Sequence, residues 1–120
     1  MKNEKFHDRL KKIIHQYVLL TYTSTKKYPN DERYGLTSQD RRAAVSVMLN
    51  YVEGYARIKI AVMLNFYETA YGSLKESIYA RFLAMNLGYI TKKEYNESLV
   101  LKDEIGAMLY TTIEGIRKNI

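Results

Sequence analysis

Apolar side chains return at steps of three and four along almost the whole chain, and no stretch alternates with a period of two for long enough to be a strand. A step of three or four returns a side chain to the same face of a helix, so each such stretch presents one apolar stripe. A single proline and six glycines leave too little turn-forming material for a β-sandwich or barrel. The pattern predicts an all-α protein.

Four helical segments follow. The first runs from about Glu4 to Lys27, with Phe6, Leu10, Ile13, Tyr17, Leu20 and Ser24 on its stripe. It stops before Pro29, whose ring disfavours helix at Tyr28. The second opens at Thr37 or Ser38, where Thr37-x-x-Asp40 resembles a capping box with Asp in place of Glu. It carries Ala43, Ala44, Val47, Met48, Tyr51, Val52 and Tyr55 and is apolar around most of its circumference. A helix of that kind is covered on more than one side, which predicts self-association in a chain this short. The break before the third segment is weakly marked, by Gly54, Arg57 and Lys59, and admits either a loop or a kink. The third segment continues through Ile60, Met63, Tyr67, Ala70, Leu74, Ile78, Phe82 and Met85 to Gly88, which suits a left-handed position after a helix. The fourth opens with the capping box Thr91-x-x-Glu94, and its stripe runs from Tyr95 through Ile105, Leu109 and Ile113 to Ile120. Four helices with short connections pack most simply as an antiparallel, up-down-up-down four-helix bundle.

The 120 residues suit one domain, 1–120, with one modest core. The chain has no cysteine, so disulfides, thiolate metal sites and cysteine nucleophiles are excluded together. Met1–His7 is polar and lacks the apolar core of a signal peptide, and the longest uncharged apolar stretches, Ala43–Val52 and Ile60–Tyr67, fall far short of the roughly 18–20 residues of a membrane span. The expectation is a cytoplasmic protein without membrane contact. The net charge is +6, and it is one-sided: residues 1–60 hold 12 basic and 6 acidic side chains, residues 61–120 hold 7 of each. Such an excess favours a polyanionic partner such as RNA, and it also serves solubility.

Catalytic signatures are missing. The sequence has no HExxH, P-loop, GxSxG or GxGxxG pattern. Glu4-x-x-His7 has the spacing of half a di-metal bundle site, but it occurs once where two are needed, so no metal, cofactor or catalytic residue is expected. Two polar groups stand out. Arg42, Ser46, Asn50 and Glu53 form a polar stripe on the second helix, and Glu76 belongs to a similar stripe on the third. Antiparallel neighbours would let Arg42 pair with Glu76 along a polar seam that fixes register. The second group is basic. Lys26, Lys27 and Arg33 flank the first turn, with Arg41 close by and Arg57 and Lys59 after the second helix. Tyr28 and Tyr34 interleave with these charges, as base-stacking residues or as plugs for the bundle end.

One run is more specific. Tyr28-Pro29-Asn30-Asp31-Glu32-Arg33-Tyr34-Gly35-Leu36-Thr37-Ser38-Gln39, followed by Arg41-Arg42-Ala43-Ala44-Val45-Ser46 and by Asn50-x-x-Glu53-Gly54-Tyr55, resembles the signature of the bacterial four-helix-bundle proteins encoded by intervening sequences in 23S ribosomal RNA genes. Gly72-Ser73-Leu74-x-Glu76 and Leu87-Gly88-Tyr89-Ile90 fit the third helix of that family. The resemblance implies a bundle that assembles as a ring, commonly a homopentamer. The accessory variability determinant of diversity-generating retroelements is similar in fold, and it implies RNA and a reverse transcriptase as partners. The chain departs from the pattern at Ile58-Lys59-Ile60-Ala61-Val62-Met63, where the family carries a polar connector.

Together these readings lead to the expectation of a non-enzymatic, oligomeric, RNA-associated accessory or scaffold protein. A module that docks a reverse transcriptase or other enzyme without touching nucleic acid is the alternative.

Overall fold

The computed structural model describes residues 3–119. Ile120, the last residue of the expected fourth stripe, lies outside them. Four helices carry nearly all of the chain: α1 (Glu4–Thr25), α2 (Leu36–Ala56), α3 (Ile60–Asn86) and α4 (Lys92–Arg117), with a single 3-10 turn at Asn30–Glu32. Three of the four starts have a side-chain cap. Asn3 accepts the backbone N–H of Phe6 at 3.1 Å and caps α1. Thr91 and Glu94 close the expected reciprocal box at the head of α4. The start of α2 differs from expectation. It begins at Leu36, whose N–H is capped by Glu32 Oε1 at 3.0 Å, so Thr37 and Asp40 make no capping box and turn inward instead.

The ends are equally specific. Gly88 takes a φ of +82°, its N–H bonds Met85 O, and the N–H of Tyr89 reaches Ala84 O at 2.9 Å. This closes α3 with the left-handed turn that glycine adopts without a Cβ penalty. Between α2 and α3 the chain reverses over residues 57–59, so the weakly marked break is a loop. Gly54 permits the close approach there: a Cβ on it would lie 2.8 Å from the Tyr67 ring.

Contacts between side chains fix the directions. His7 meets Tyr51 while Arg41 meets Thr25, so α1 and α2 run antiparallel. Ser46 pairs with Ser73 and Asp40 with Ser77 across α2 and α3. Arg81 meets Ser98, and Glu68 meets Arg117, across α3 and α4. Arg9–Glu104 and Lys27–Glu94 close α4 onto α1. The result is an up-down-up-down bundle, 45 Å long and 24 × 18 Å in section.

The apolar stripes meet along its axis. Leu10, Ile14 and Tyr17 of α1, Val47 of α2, Leu74 of α3, and Ile105 and Leu109 of α4 have no exposed surface. Each such aliphatic side chain stabilises the fold by about 1.5–3 kcal/mol. A smaller core of Tyr28, Ala84 and Ile90 seals the end where α1 passes to α2 and α3 passes to α4. Among the described residues, no helix is long and apolar enough to cross a membrane.

Candidate functional site

Three features of the bundle bear on what it does: a buried polar network, a basic end, and an apolar outer face on α2.

The network joins all four helices. Asp40 on α2 and Arg81 on α3 are both fully buried, with Arg81 Nη1 3.5 Å from Asp40 Oδ2. Tyr28 donates to Asp40 Oδ2 and Ser77 to Asp40 Oδ1, each at 3.0 Å. Tyr17 in turn bonds Ser77 at 2.9 Å. Arg81 directs Nε to Ser98 at 2.7 Å and Nη2 to Ser24 at 2.8 Å. Every buried side-chain nitrogen and oxygen among the described residues has a partner. Burial pushes the Asp40 carboxyl above its ordinary range, against the pull of Arg81 and of the two hydroxyl donors. Burial likewise raises the phenols of Tyr17 and Tyr28. A satisfied network of this kind sets the register of four helices and presents no open face to a substrate.

Sequence reasoning placed none of this. Asp40 read as a cap and Ser24 as part of an apolar stripe. The available signal was Arg81 itself, which falls at a core step of α3 between Ser77 and Ala84.

The basic end is built from two connections. The α1–α2 connection docks on the α3–α4 connection through the Tyr28–Tyr89 ring pair at 5.6 Å, the Tyr89 hydroxyl donating to Glu32 at 2.8 Å, and the Lys27–Glu94 ion pair. Hydrogen bonds from the Leu36 N–H and the Tyr89 hydroxyl hold the Glu32 carboxyl below its usual range. Lys26, Arg33, Lys92 and Lys93 remain exposed without an ion pair to any described residue. Tyr34 is 89% exposed, and the Arg33 guanidinium lies 5.9 Å from its ring centre. Asp31 is an exposed acid of the same connection.

The six basic residues singled out in the sequence are therefore not one surface. Lys26, Lys27 and Arg33 share this end. Arg41 is half-buried, donating to Thr25 at 2.7 Å and stacked 4.8 Å over Tyr22. Arg57 and Lys59 lie at the opposite end of the 45 Å bundle, where Arg57 pairs with Glu53 at 2.7 Å and covers the Phe66 ring. Lys92 and Lys93, which sequence reasoning passed over, join Lys26 and Arg33 because antiparallel packing brings two distant connections together.

The polar seam is also divided. Ser46 reaches Ser73 across α2 and α3 at 2.8 Å, and Asn50 donates to Ser46 at 2.9 Å. Glu53 faces solvent toward Arg57. The expected Arg42–Glu76 pair does not form: both side chains are exposed, and neither has a partner among the described residues. They belong to different grooves. Arg42 lines one with Tyr22, Val45 and Leu49, and Glu76 lines another with Leu36, Tyr79 and Leu83. Leu49 is 59% exposed on the outward side of α2, with Val52 a turn further on.

His7 belongs to an aromatic cluster at the far end of the bundle, its Nδ1 2.9 Å from the Tyr51 hydroxyl and its ring beside Tyr55. The described residues hold no group of three or more His, Asp or Glu side chains placed to share a metal ion.

Fold and surface together define the chain as a small antiparallel four-helix bundle with a closed polar core, a basic end formed by the α1–α2 and α3–α4 connections, and an exposed apolar helix face. The family model of the 23S rRNA-intervening sequence protein matches residues 9–111. The chain belongs to that family. Its fold is similar to a crystal structure of a protein of unknown function from the S23 ribosomal protein family of Bacteroides thetaiotaomicron, with a TM-score of 0.80 at 21% identity over 87% of this chain and 97% of that one. No curated protein matches the sequence.

Proposed function

We propose that this protein is a non-enzymatic, self-associating accessory or scaffold protein that contacts RNA in the cytoplasm through the basic end of its bundle. The observation that carries this reading is that Lys26, Arg33, Lys92 and Lys93, all exposed and without an ion pair to a described residue, share one end of the bundle, with the exposed ring of Tyr34 beside Arg33. Cations in that arrangement neutralise phosphates, and an exposed ring stacks on an unpaired base for about 1–3 kcal/mol. The outward apolar residues of α2 support self-association, and the family resemblance favours a ring of five copies.

Fluorescence anisotropy with a labelled single-stranded RNA tests the RNA contact. Log affinity falls as log salt rises, with each phosphate contact contributing about 0.7 to the slope. Reversal of Lys26, Arg33, Lys92 and Lys93 to Glu abolishes binding at moderate salt, and Tyr34→Ala weakens it without changing the salt slope. Affinity unchanged by the four reversals would refute the RNA reading. It would favour docking of a protein such as a reverse transcriptase, which then survives nuclease treatment in a pull-down.

A further inference from the structure

The basic end also carries acids: Asp31 and Glu32 in the α1–α2 connection, and Glu94 in the first turn of α4. A carboxylate there opposes a phosphate unless it is engaged. The Asp31 side chain is exposed and has no partner among the described residues. Glu32 and Glu94 differ from it and are arranged alike. Each uses one oxygen on the start of a helix and the other on the opposite connection. Glu32 Oε1 accepts the Leu36 N–H at the start of α2 at 3.0 Å, and its Oε2 accepts the Tyr89 hydroxyl at 2.8 Å. Glu94 Oε1 accepts the Thr91 N–H at the start of α4 at 3.0 Å, and its Oε2 takes the Lys27 ammonium. These bonds hold both carboxyls below their ordinary range.

We infer, resting on the RNA contact proposed above, that Glu32–Tyr89 and Lys27–Glu94 form a double clasp that positions the RNA-contacting cations, Lys26 and Arg33 on one connection and Lys92 and Lys93 on the other. A strand of RNA that touches both connections needs them at one fixed separation. Cations already held there lose less freedom on binding, so preorganisation raises affinity without adding a contact. The same ties occupy two carboxylates that would otherwise compete with phosphate for the neighbouring cations. Lys27 is then a positioning residue and not a phosphate ligand. Exposed ion pairs add little to the stability of a fold, so the clasp bears on where the cations stand and not on whether the helices form.

Fluorescence anisotropy with the labelled single-stranded RNA, read both as affinity and as salt slope, tests the clasp on variants whose helix content is matched by circular dichroism. Tyr89→Phe removes one hydroxyl and changes neither charge nor ring. Affinity falls about three- to tenfold and the salt slope stays the same. Asp31→Ala and Glu32→Ala each delete one negative charge from the same turn, and attraction alone would make both bind RNA more tightly. The clasp makes them diverge: Asp31→Ala binds more tightly than the wild type and Glu32→Ala more weakly. Lys27→Met loses affinity at an unchanged slope, whereas a slope lower by about 0.7 would make Lys27 a phosphate contact and overturn its part as a tie. Wild-type affinity in Tyr89→Phe, or Glu32→Ala binding as tightly as Asp31→Ala, overturns the clasp, and loss of binding on the four reversals above then leaves the RNA reading standing. Affinity unchanged by those four reversals overturns the RNA reading and the clasp with it.

Discussion

Replacing Arg81 by Met removes one partner of the buried ion pair, together with its hydrogen bonds to Ser98 and Ser24, and leaves the surface of the chain unchanged. Asp40 then keeps only the Tyr28 and Ser77 hydroxyls, in a position with no exposure. Breaking a buried pair from one side costs about 3–5 kcal/mol, because a carboxylate is left uncompensated. The two hydroxyl donors that remain put the loss at the lower limit, about 3 kcal/mol. With an unfolding entropy of about 2.1 cal/mol/K per residue over 120 residues, that lowers Tm by about 12 °C. The pH dependence gives a second reading. Burial already raises the Asp40 carboxyl, and loss of Arg81 raises it further. A raised carboxyl holds its proton more tightly folded than unfolded, so its contribution to stability is present at acid pH and is lost as pH rises through the folded value. The deficit of Arg81→Met is therefore largest at alkaline pH and shrinks as pH falls through the raised folded values of Asp40, above the ordinary carboxylate range. Adding Asp40→Asn to Arg81→Met removes the stranded charge and recovers about 2 kcal/mol. Thermal and urea unfolding at fixed protein concentration measure all three proteins, since association makes Tm depend on concentration. A loss below about 1 kcal/mol for Arg81→Met, or a deficit that does not change with pH, would refute the argument.

Three further outcomes follow from local geometry. Gly54→Ala gains helix propensity but drives a Cβ to 2.8 Å from the Tyr67 ring, so it destabilises by about 1–3 kcal/mol in urea unfolding, whereas Gly115→Ala meets nothing within 4 Å and stabilises by about 0.5–1 kcal/mol. Thr91→Ala removes the capping box of α4 and costs about 1 kcal/mol, read as faster amide exchange in its first turn.

The three-and-four spacing of apolar residues, one proline and Gly88 were enough to determine four helices, their antiparallel order and most of the core. These signals are local: a stripe, a cap or a left-handed turn depends on residues a few positions apart. Leu10, Tyr17, Val47, Leu74 and Ile105 are buried where their spacing put them. The tertiary structure decided the polar contacts. Asp40 and Arg81 are 41 residues apart in the chain. Nothing near Asp40 in sequence separates a cap from a buried counterion, because the capping role passed to Glu32. Lys92 and Lys93 join Lys26 and Arg33 only once the two connections share one end of the bundle, and Arg57 and Lys59 leave that group for the same reason. Arg42 and Glu76 had the right spacing to meet, yet each turned into a separate groove. Helix periodicity fixes which face a side chain occupies, but the partner across that face depends on how neighbouring helices pack, and this packing is set by the whole core at once.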